Sequence, residues 1–222
     1  MRHEIGHRSQ AKRAQARHRV RAVKHFQRDC AAALKRPRRP AYEILEIDGY
    51  RLRKRESINI DLNSIAKGYG VDRLAQTLVK HGIHSGLVGI DGEMRVLGMR
   101  PDGEPWAIAV EAPEIECRKP HSLLCLKDAA VATSGDYRHW VTVQGHRLSH
   151  TMDPMRGAPL KSSPTSVTVV APTCAEADAW ATALMVPGAS AGSKILLKEG
   201  LSALFLTRDE AGNLQSEGFE VF

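Results

Sequence analysis

Asp178 and Thr182 stand four residues apart in a segment, residues 174–185, that reads as helix, so both side chains project from one face. A carboxylate and a hydroxyl placed together suit a hard, oxygen-seeking cation such as Mg²⁺, which takes few protein ligands and keeps waters or phosphate oxygens for the rest. The same residues have plainer uses. Glu176 and Asp178 near a helix N-terminus complement its dipole, and Thr182 can bond back to its own helix. A second chemistry-bearing stretch is Asp61-Leu-Asn-Ser-Ile-Ala-Lys67-Gly68, running out of a short apolar piece (residues 58–62) into a helix over 64–80. A helix N-terminus offers unpaired N–H groups and positive potential to an anion. Lys67 adds a full charge, and Gly68 and Gly70 allow something to come close. A capped helix with a solvated lysine fits this spacing as well, and the glycine pattern is not that of a Walker loop.

Two further pieces carry polar groups at the ends of strands. Ser134-Gly-Asp-Tyr137 is a tight turn after a buried run. His150-Thr-Met-Asp-Pro154 sets a histidine and a carboxylate at the end of a hairpin. A histidine there is a candidate general base, because its pKa lies near operating pH, or simply a polar cap.

The elements that must position these groups alternate between both classes. Residues 42–47 and 50–54 read as strands about an Asp48-Gly49 turn. The helix over 64–80 has Ile65, Tyr69, Leu74, Leu78 and Val79 as its expected buried stripe and Gly82 at its C-terminal cap. Strands follow over 86–90, 94–99, 106–111, 123–126, 130–133, 140–143 and 146–149, with turns at Asp91-Gly92, Pro101-Asp102-Gly103 and Gln144-Gly145. Residues 166–170 form a continuous β-branched run suited to a buried strand. Helices over 174–185 and 193–198 precede a closing hairpin, 201–206 with 214–221. Many hairpins between a few helices make the class α+β rather than a doubly wound sheet.

Composition narrows the classes. The chain has 222 residues, 42% of them hydrophobic and only 5% aromatic, so one aliphatic and alanine-rich core is expected. No apolar run approaches the roughly 18 residues of a membrane span, so stable insertion is not expected. The basic stretch after Met1 has no apolar segment behind it, and the chain as written reads as cytoplasmic. Cys30, Cys117, Cys125 and Cys174 have neither zinc nor disulfide spacing. The net charge of +7 is uneven. Residues 1–40 hold thirteen Lys/Arg against Glu4 and Asp29, and the remaining 182 residues carry 19 basic against 23 acidic groups. This divides the chain into a basic extension, 1–40, helical or disordered, and a mildly acidic body, 41–222. A basic tail can bind nucleic acid by counterion release, but no aromatic residues interleave to stack bases, so nucleic acid is not the expected partner.

Taken in order, Asp61-Leu…Ala66-Lys67-Gly68-Tyr69…Asp72, Ser134-Gly-Asp-Tyr137, His150-x-x-Asp153-Pro154 and Ala177-Asp178-x-x-x-Thr182 resemble the ApbE family of FAD:protein FMN transferases. The hairpin Leu97-Gly…Asp102-Gly…Trp106 resembles it too. The resemblance implies an ApbE-like, T-fold-like α+β fold of largely antiparallel sheets packed with helices. It also implies Mg²⁺ on the pyrophosphate of FAD, and transfer of FMN to a Thr or Ser hydroxyl of an acceptor flavoprotein with release of AMP. By motif matching, Asp178 and Thr182 are metal ligands, joined by an oxygen of Ser64, taken as its backbone carbonyl. Asp61, Lys67 and Met152 line the flavin nucleotide, and His150 accepts the proton of the incoming hydroxyl. The chain departs from the family pattern at Arg156, where a Thr is usual, and at Asp91 of Asp91-Gly92, where Gly-Gly is usual. Residues 1–40 do not resemble the longer front part of family members, which often work outside the cytoplasm. A shortened, inactive flavin-binding relative, or a pyrophosphatase cleaving FAD to FMN and AMP, are the alternatives.

Overall fold

The computed structural model describes residues 39–114, 117–137, 140–143, 146–160 and 164–220. The stretch up to residue 38, with Cys30, the Gln144-Gly145 turn and the last strand residue expected at Val221 lie outside them. In chain order the elements begin α1 (Ala41–Ile44), β1 (Leu45–Asp48), β2 (Arg51–Lys54), α2 (Ala66–Lys80), β3 (Gly86–Ile90), β4 (Glu93–Leu97), β5 (Trp106–Glu111), β6 (Pro120–Leu126) and β7 (Ala130–Gly135). They continue β8 (Trp140–Val143), β9 (His146–Ser149), β10 (Met152–Asp153), β11 (Ala158–Pro159), β12 (Ser166–Ala171), α3 (Cys174–Leu184), α4 (Gly188–Glu199), β13 (Ser202–Arg208) and β14 (Leu214–Phe219). The class is α+β, as the pattern of hairpins predicts.

Two units result. The first takes in the described residues up to Ser57 together with Asp153–Ala158. Here β1 and β2 form an antiparallel hairpin, Leu45 opposite Lys54 and Asp48 opposite Arg51. Residues 42–44, expected to start a strand, belong instead to α1. Pro40 precedes the turn, its carbonyl accepts the Glu43 N–H at 3.0 Å, and Arg39 Nε holds the Glu43 carboxylate at 3.0 Å.

The second unit, Ile58–Met152 and Pro159–Phe222, is built on a six-stranded antiparallel sheet of order β14-β13-β12-β7-β4-β3. The β-branched run of β12 lies in its middle, paired from Ser166–Gly135 to Ala171–Ala130 on one side and to β13 on the other. Successive residues point to opposite faces, and both faces are covered. Ala132, Val167, Val169, Ala203 and Phe205 pack under α3 and α4, with Ala177, Ala181, Leu184 and Leu196. On the other face Val96, Val131, Leu204 and Leu206 meet Ile108, Val110, Leu124 and Leu126 of the β5–β6 hairpin. Double burial explains why these strands read as unbroken apolar runs. Each large side chain so enclosed contributes about 1.5–3 kcal/mol. The β3–β4 turn is the expected one: Asp91 and Gly92 both take positive φ, 51° and 107°, the handedness that a two-residue hairpin needs.

The helices depart from expectation in two ways. The buried face of α2 is Gly68, Val71, Asp72 and Ala75, whereas Ile65, Tyr69, Leu74 and Val79 are exposed. Periodicity selects large apolar residues, but α2 packs against α3 so closely that small ones are required. A Cβ added to Gly68 would lie 2.3 Å from the Cys174 carbonyl oxygen and 2.8 Å from Asp178 Cβ. The helix expected over 193–198 starts earlier, at Gly188 beside Pro187, because Ala189 and Leu196 share one buried face.

Helix propensity alone predicts that Gly68→Ala stabilises α2 by about 1 kcal/mol. The contact with Cys174 predicts the reverse. Gly68→Ala is expected to lose about 2–3 kcal/mol in urea denaturation, the cost of overpacking against rigid backbone; a variant at least as stable as the parent would contradict the close packing.

Candidate active site

The start of α2 is irregular. The Ile65 and Ala66 N–H groups both donate to the Leu62 carbonyl, at 3.0 and 2.9 Å. In an unbroken helix the Gly68 N–H would go to the Ser64 carbonyl. It donates instead to Asp178 Oδ2 of α3, at 3.0 Å, in a buried contact between residues 110 apart in sequence. The Ser64 carbonyl is thereby relieved of its helical partner, beside a carboxylate only 4% exposed. Thr182 follows Asp178 by one turn on the same face. Asp178 and Thr182 thus place a carboxylate and a hydroxyl on one face of α3.

The contact is held by a second carboxylate. Asp72, also on the buried face of α2, accepts the Cys174 and Ala175 N–H groups at 2.9 Å each, and Arg95 of β4 pairs with it. A carboxylate on the first N–H groups of α3 satisfies donors that the helix cannot and complements its dipole. Thr173 and Glu176 complete the end as a capping box. The Cys174 thiol among these groups is pushed up to about 12, by burial and then by Asp72, so it stays protonated and unreactive.

Lys67 points the other way, to β4 and its turn. Its Nζ lies 2.7 Å from Glu93 Oε1 and 3.9 Å from Asp91. Glu93 is 2% exposed, and among the described residues its Oε2 has no hydrogen-bond partner. Burial raises the Glu93 pKa against the pull of Lys67. Burial also opposes the Lys67 charge, but the bond to Glu93 and the nearby Asp178 and Asp91 outweigh it and hold its pKa above the usual value. Lys67, Asp91, Glu93, Thr133, Gly135 and Tyr137 are among the residues lining a cavity of about 430 Å³.

The end of β7 joins this cluster to a histidine. Ser134 Oγ lies 2.7 Å from Thr182 Oγ1, and two residues on Asp136 Oδ1 lies 2.9 Å from His150 Nδ1. Asp136 also accepts from Thr151 Oγ1, at 3.1 Å, and from Ser149 Oγ. A carboxylate, a hydroxyl, a half-buried lysine that lines the cavity and a carboxylate-bound imidazole are groups suited to binding a phosphate ester and to proton transfer.

The model of the ApbE family matches residues 7–205. The chain belongs to the ApbE family. The match begins within the basic stretch read from its charge as an extension. Among curated relatives, the FAD:protein FMN transferase of Vibrio cholerae is 39% identical over 171 residues, 77% of this chain and 51% of the relative. That of Escherichia coli K12 is 36% identical over 150 residues, 68% of this chain and 43% of the relative. The chain thus spans about half the length of the curated relatives it matches. Among solved structures, the flavin transferase ApbE from Vibrio cholerae superimposes with a TM-score of 0.69 at 36% identity, over 81% of this chain and 57% of that one. The ApbE protein of Thermotoga maritima gives 0.70 at 31%, over 85% and 60%.

Of the site residues read from the ApbE motifs, Lys67, Asp178 and Thr182 converge: Asp178 holds the residue after Lys67 and acts on its charge, and Thr182 shares a helix face with Asp178. Ser64 lies one turn before Gly68. His150 joins through Asp136 and Ser134. Asp61 is exposed and accepts the Asn63 N–H at 2.9 Å; among the described contacts none ties it to the cluster. Met152 is 48% exposed at β10, likewise untied. Arg156, within the first unit, sits 3.9 Å from Asp153. Sequence reasoning passed over Asp72, Glu93 and Asp136. Asp72 and Asp136 stood inside quoted motifs, but nothing in their spacing marked them as partners of Cys174 and His150. Glu93 falls between the Asp91-Gly92 turn and the strand read over 94–99, so neither pattern marked it.

The raised Glu93 value fixes the sign of a pH effect. The stability gained from its bound proton is full below the unfolded carboxyl value of about 4.3 and is lost as pH rises through the folded value. Lys67→Met removes the opposing cation and raises Glu93 further. Lys67→Met is therefore expected to cost about 2 kcal/mol at pH 7.5, less than a fully buried pair because Lys67 is partly exposed. At pH 5, closer to the range in which the raised Glu93 takes up its proton, the cost shrinks. Urea denaturation at both pH values checks this, and equal losses count against a buried Lys67–Glu93 pair.

Proposed function

We propose that the chain is an Mg²⁺-dependent FAD:protein FMN transferase, moving FMN from FAD to a Thr or Ser hydroxyl of an acceptor flavoprotein and releasing AMP. The observation that carries this reading is the Gly68–Asp178 contact, which takes the helical partner of the Ser64 carbonyl and sets Asp178 at the start of α2, one helical turn from Thr182. The donor set of carboxylate, hydroxyl and carbonyl oxygens fits Mg²⁺, and Ser64, Asp178 and Thr182 would hold it. Bound there, the ion would supply charge neutralisation on the bridging phosphate oxygens.

The chain's own residues supply the rest. Lys67 draws the pyrophosphate towards the start of α2, and Asp61 and Met152 line the nucleotide at its exposed side. His150 takes the proton of the incoming hydroxyl. The hydroxyl oxygen bonds to the phosphorus of the FMN half, the bond from that phosphorus to the bridging oxygen breaks, and the oxygen leaves on AMP. The relatives' names support this chemistry, since those proteins are FAD:protein FMN transferases.

The test is incubation with FAD, MgCl₂ and an acceptor flavoprotein carrying its flavinylation threonine. In-gel flavin fluorescence and AMP are then measured together. Equal amounts of labelled acceptor and AMP are expected, abolished by EDTA and lowered about 100-fold or more by Asp178→Asn, a ligand-level loss. AMP without labelled acceptor would make the chain a pyrophosphatase, and FAD binding without either product an inactive relative.

A further inference from the structure

We propose that Asp136 is the positioning residue of His150, fixing the imidazole in the tautomer that serves as proton acceptor; this rests on the transferase reading. Asp136 closes β7, and its backbone N–H donates to the Thr165 carbonyl at 3.0 Å, so its carboxylate is anchored from the sheet. Oδ1 lies 2.9 Å from His150 Nδ1 and 3.1 Å from Thr151 Oγ1, and Oδ2 accepts from Ser149 Oγ. Ser149 Oγ in turn accepts the Thr151 N–H at 2.9 Å. The carboxylate is 13% exposed and the imidazole 46% exposed, so the anchored partner is the inner one and the ring faces outward.

A carboxylate accepts hydrogen bonds and cannot donate them. Its contact with Nδ1 therefore assigns the proton of the neutral ring to Nδ1 and the lone pair to Nε2. When Nε2 takes a proton from an acceptor hydroxyl, the positive ring forms against a fixed negative charge, so uptake needs no rearrangement of Asp136. The hydroxyl loses its proton to Nε2 as its oxygen bonds to phosphorus, and the electron pair of the broken bond leaves with AMP. Position supports the pairing. Asp136 follows the last residue of β7, two positions after Ser134, and Ser134 meets Thr182 at 2.7 Å. One short segment thus aligns His150 with the helix that carries Asp178.

A merely structural Asp136 would hold the 149–151 turn together through Ser149 and Thr151. Three measurements separate the roles. Long-range ¹H–¹⁵N spectra of the protein at high pH are expected to show the His150 ring protonated at Nδ1, and in Asp136→Asn a loss of that preference. Transfer by Asp136→Asn is expected to fall about 10²–10⁴-fold in kcat, as for loss of a general base, with KM for FAD within threefold. The double variant Ser149→Ala/Thr151→Val, which removes the turn's bonds and leaves the Asp136–His150 contact, is expected to keep kcat within about fivefold. A wild-type ring protonated at Nε2, an Asp136→Asn variant with unchanged kcat, or a double variant as impaired as Asp136→Asn overturns the proposal. If the wild type transfers no FMN, the transferase reading fails while the spectra still decide whether Asp136 sets the tautomer.

Discussion

A single backbone N–H, that of Gly68, is shared out differently from its neighbours, and the arrangement of the cluster follows from it. By donating to Asp178 it ties the first turn of α2 to the first turns of α3. The approach is so close that a methyl group has no room. The same contact orients a carboxylate only 4% exposed and frees a carbonyl that helix geometry would otherwise consume. Burying a carboxylate is costly unless it is hydrogen-bonded, and here the bond is supplied by the very residue whose helix it interrupts. Asp72 makes the converse bond, from α2 to the first N–H groups of α3. The two helices therefore exchange carboxylates for N–H groups in both directions, and neither can shift without stranding a buried charge.

The sheet carries the second half of the arrangement. Because side chains alternate along a strand, β7 presents Ala132 and Ser134 to the helices and Val131 and Thr133 to the other side. The strand thus changes from packing to polar contact at its end without altering its face pattern. Ser134 reaches Thr182 from this position, and Asp136 continues the series to His150. Similarly, β4 sends Glu93 and Arg95 to α2, against Lys67 and Asp72, and Val96 to the β5–β6 hairpin. The positions of the polar groups are therefore consequences of strand register, fixed by the apolar residues between them.

This division explains what could be read from the sequence. The strands of the sheet, the Asp91-Gly92 turn and α3 with its buried small residues carried local signals: β-branched runs, a two-residue turn and a capped helix. The motif residues Lys67, Asp178 and Thr182 were legible as a set only through their order along the chain, since each alone fits an ordinary helix position. The packing face of α2 was not legible. Hydrophobic periodicity points to Ile65, Tyr69 and Leu74, while the helix is in fact set by Gly68, Val71, Asp72 and Ala75. Close helix contacts reward the absence of a side chain, and a pattern that counts large apolar residues registers that absence as noise. The partners of Asp72, Asp136 and Glu93 were hidden for another reason: each lies far along the chain or in a different element, and only tertiary register brings it near.

Charge gives the cluster its bias. Lys67 lies among Asp91, Glu93 and Asp178, all close enough to raise its pKa. At an effective dielectric of 20, two unit charges 4 Å apart interact by about 4 kcal/mol. A pyrophosphate brought to this group would meet more like charge than opposite charge. Two features soften the conflict. Burial raises the Glu93 pKa, which weakens the hold on its negative charge. Under the reading proposed above, Ser64, Asp178 and Thr182 would hold a cation that offsets the remaining charge. Lys67 alone cannot balance a dianion while it also neutralises Glu93, since one positive charge cannot serve both at full strength. Under the metal-dependent reading proposed above, a cation held beside Asp178 would supply the positive charge that a polyphosphate needs at this cluster.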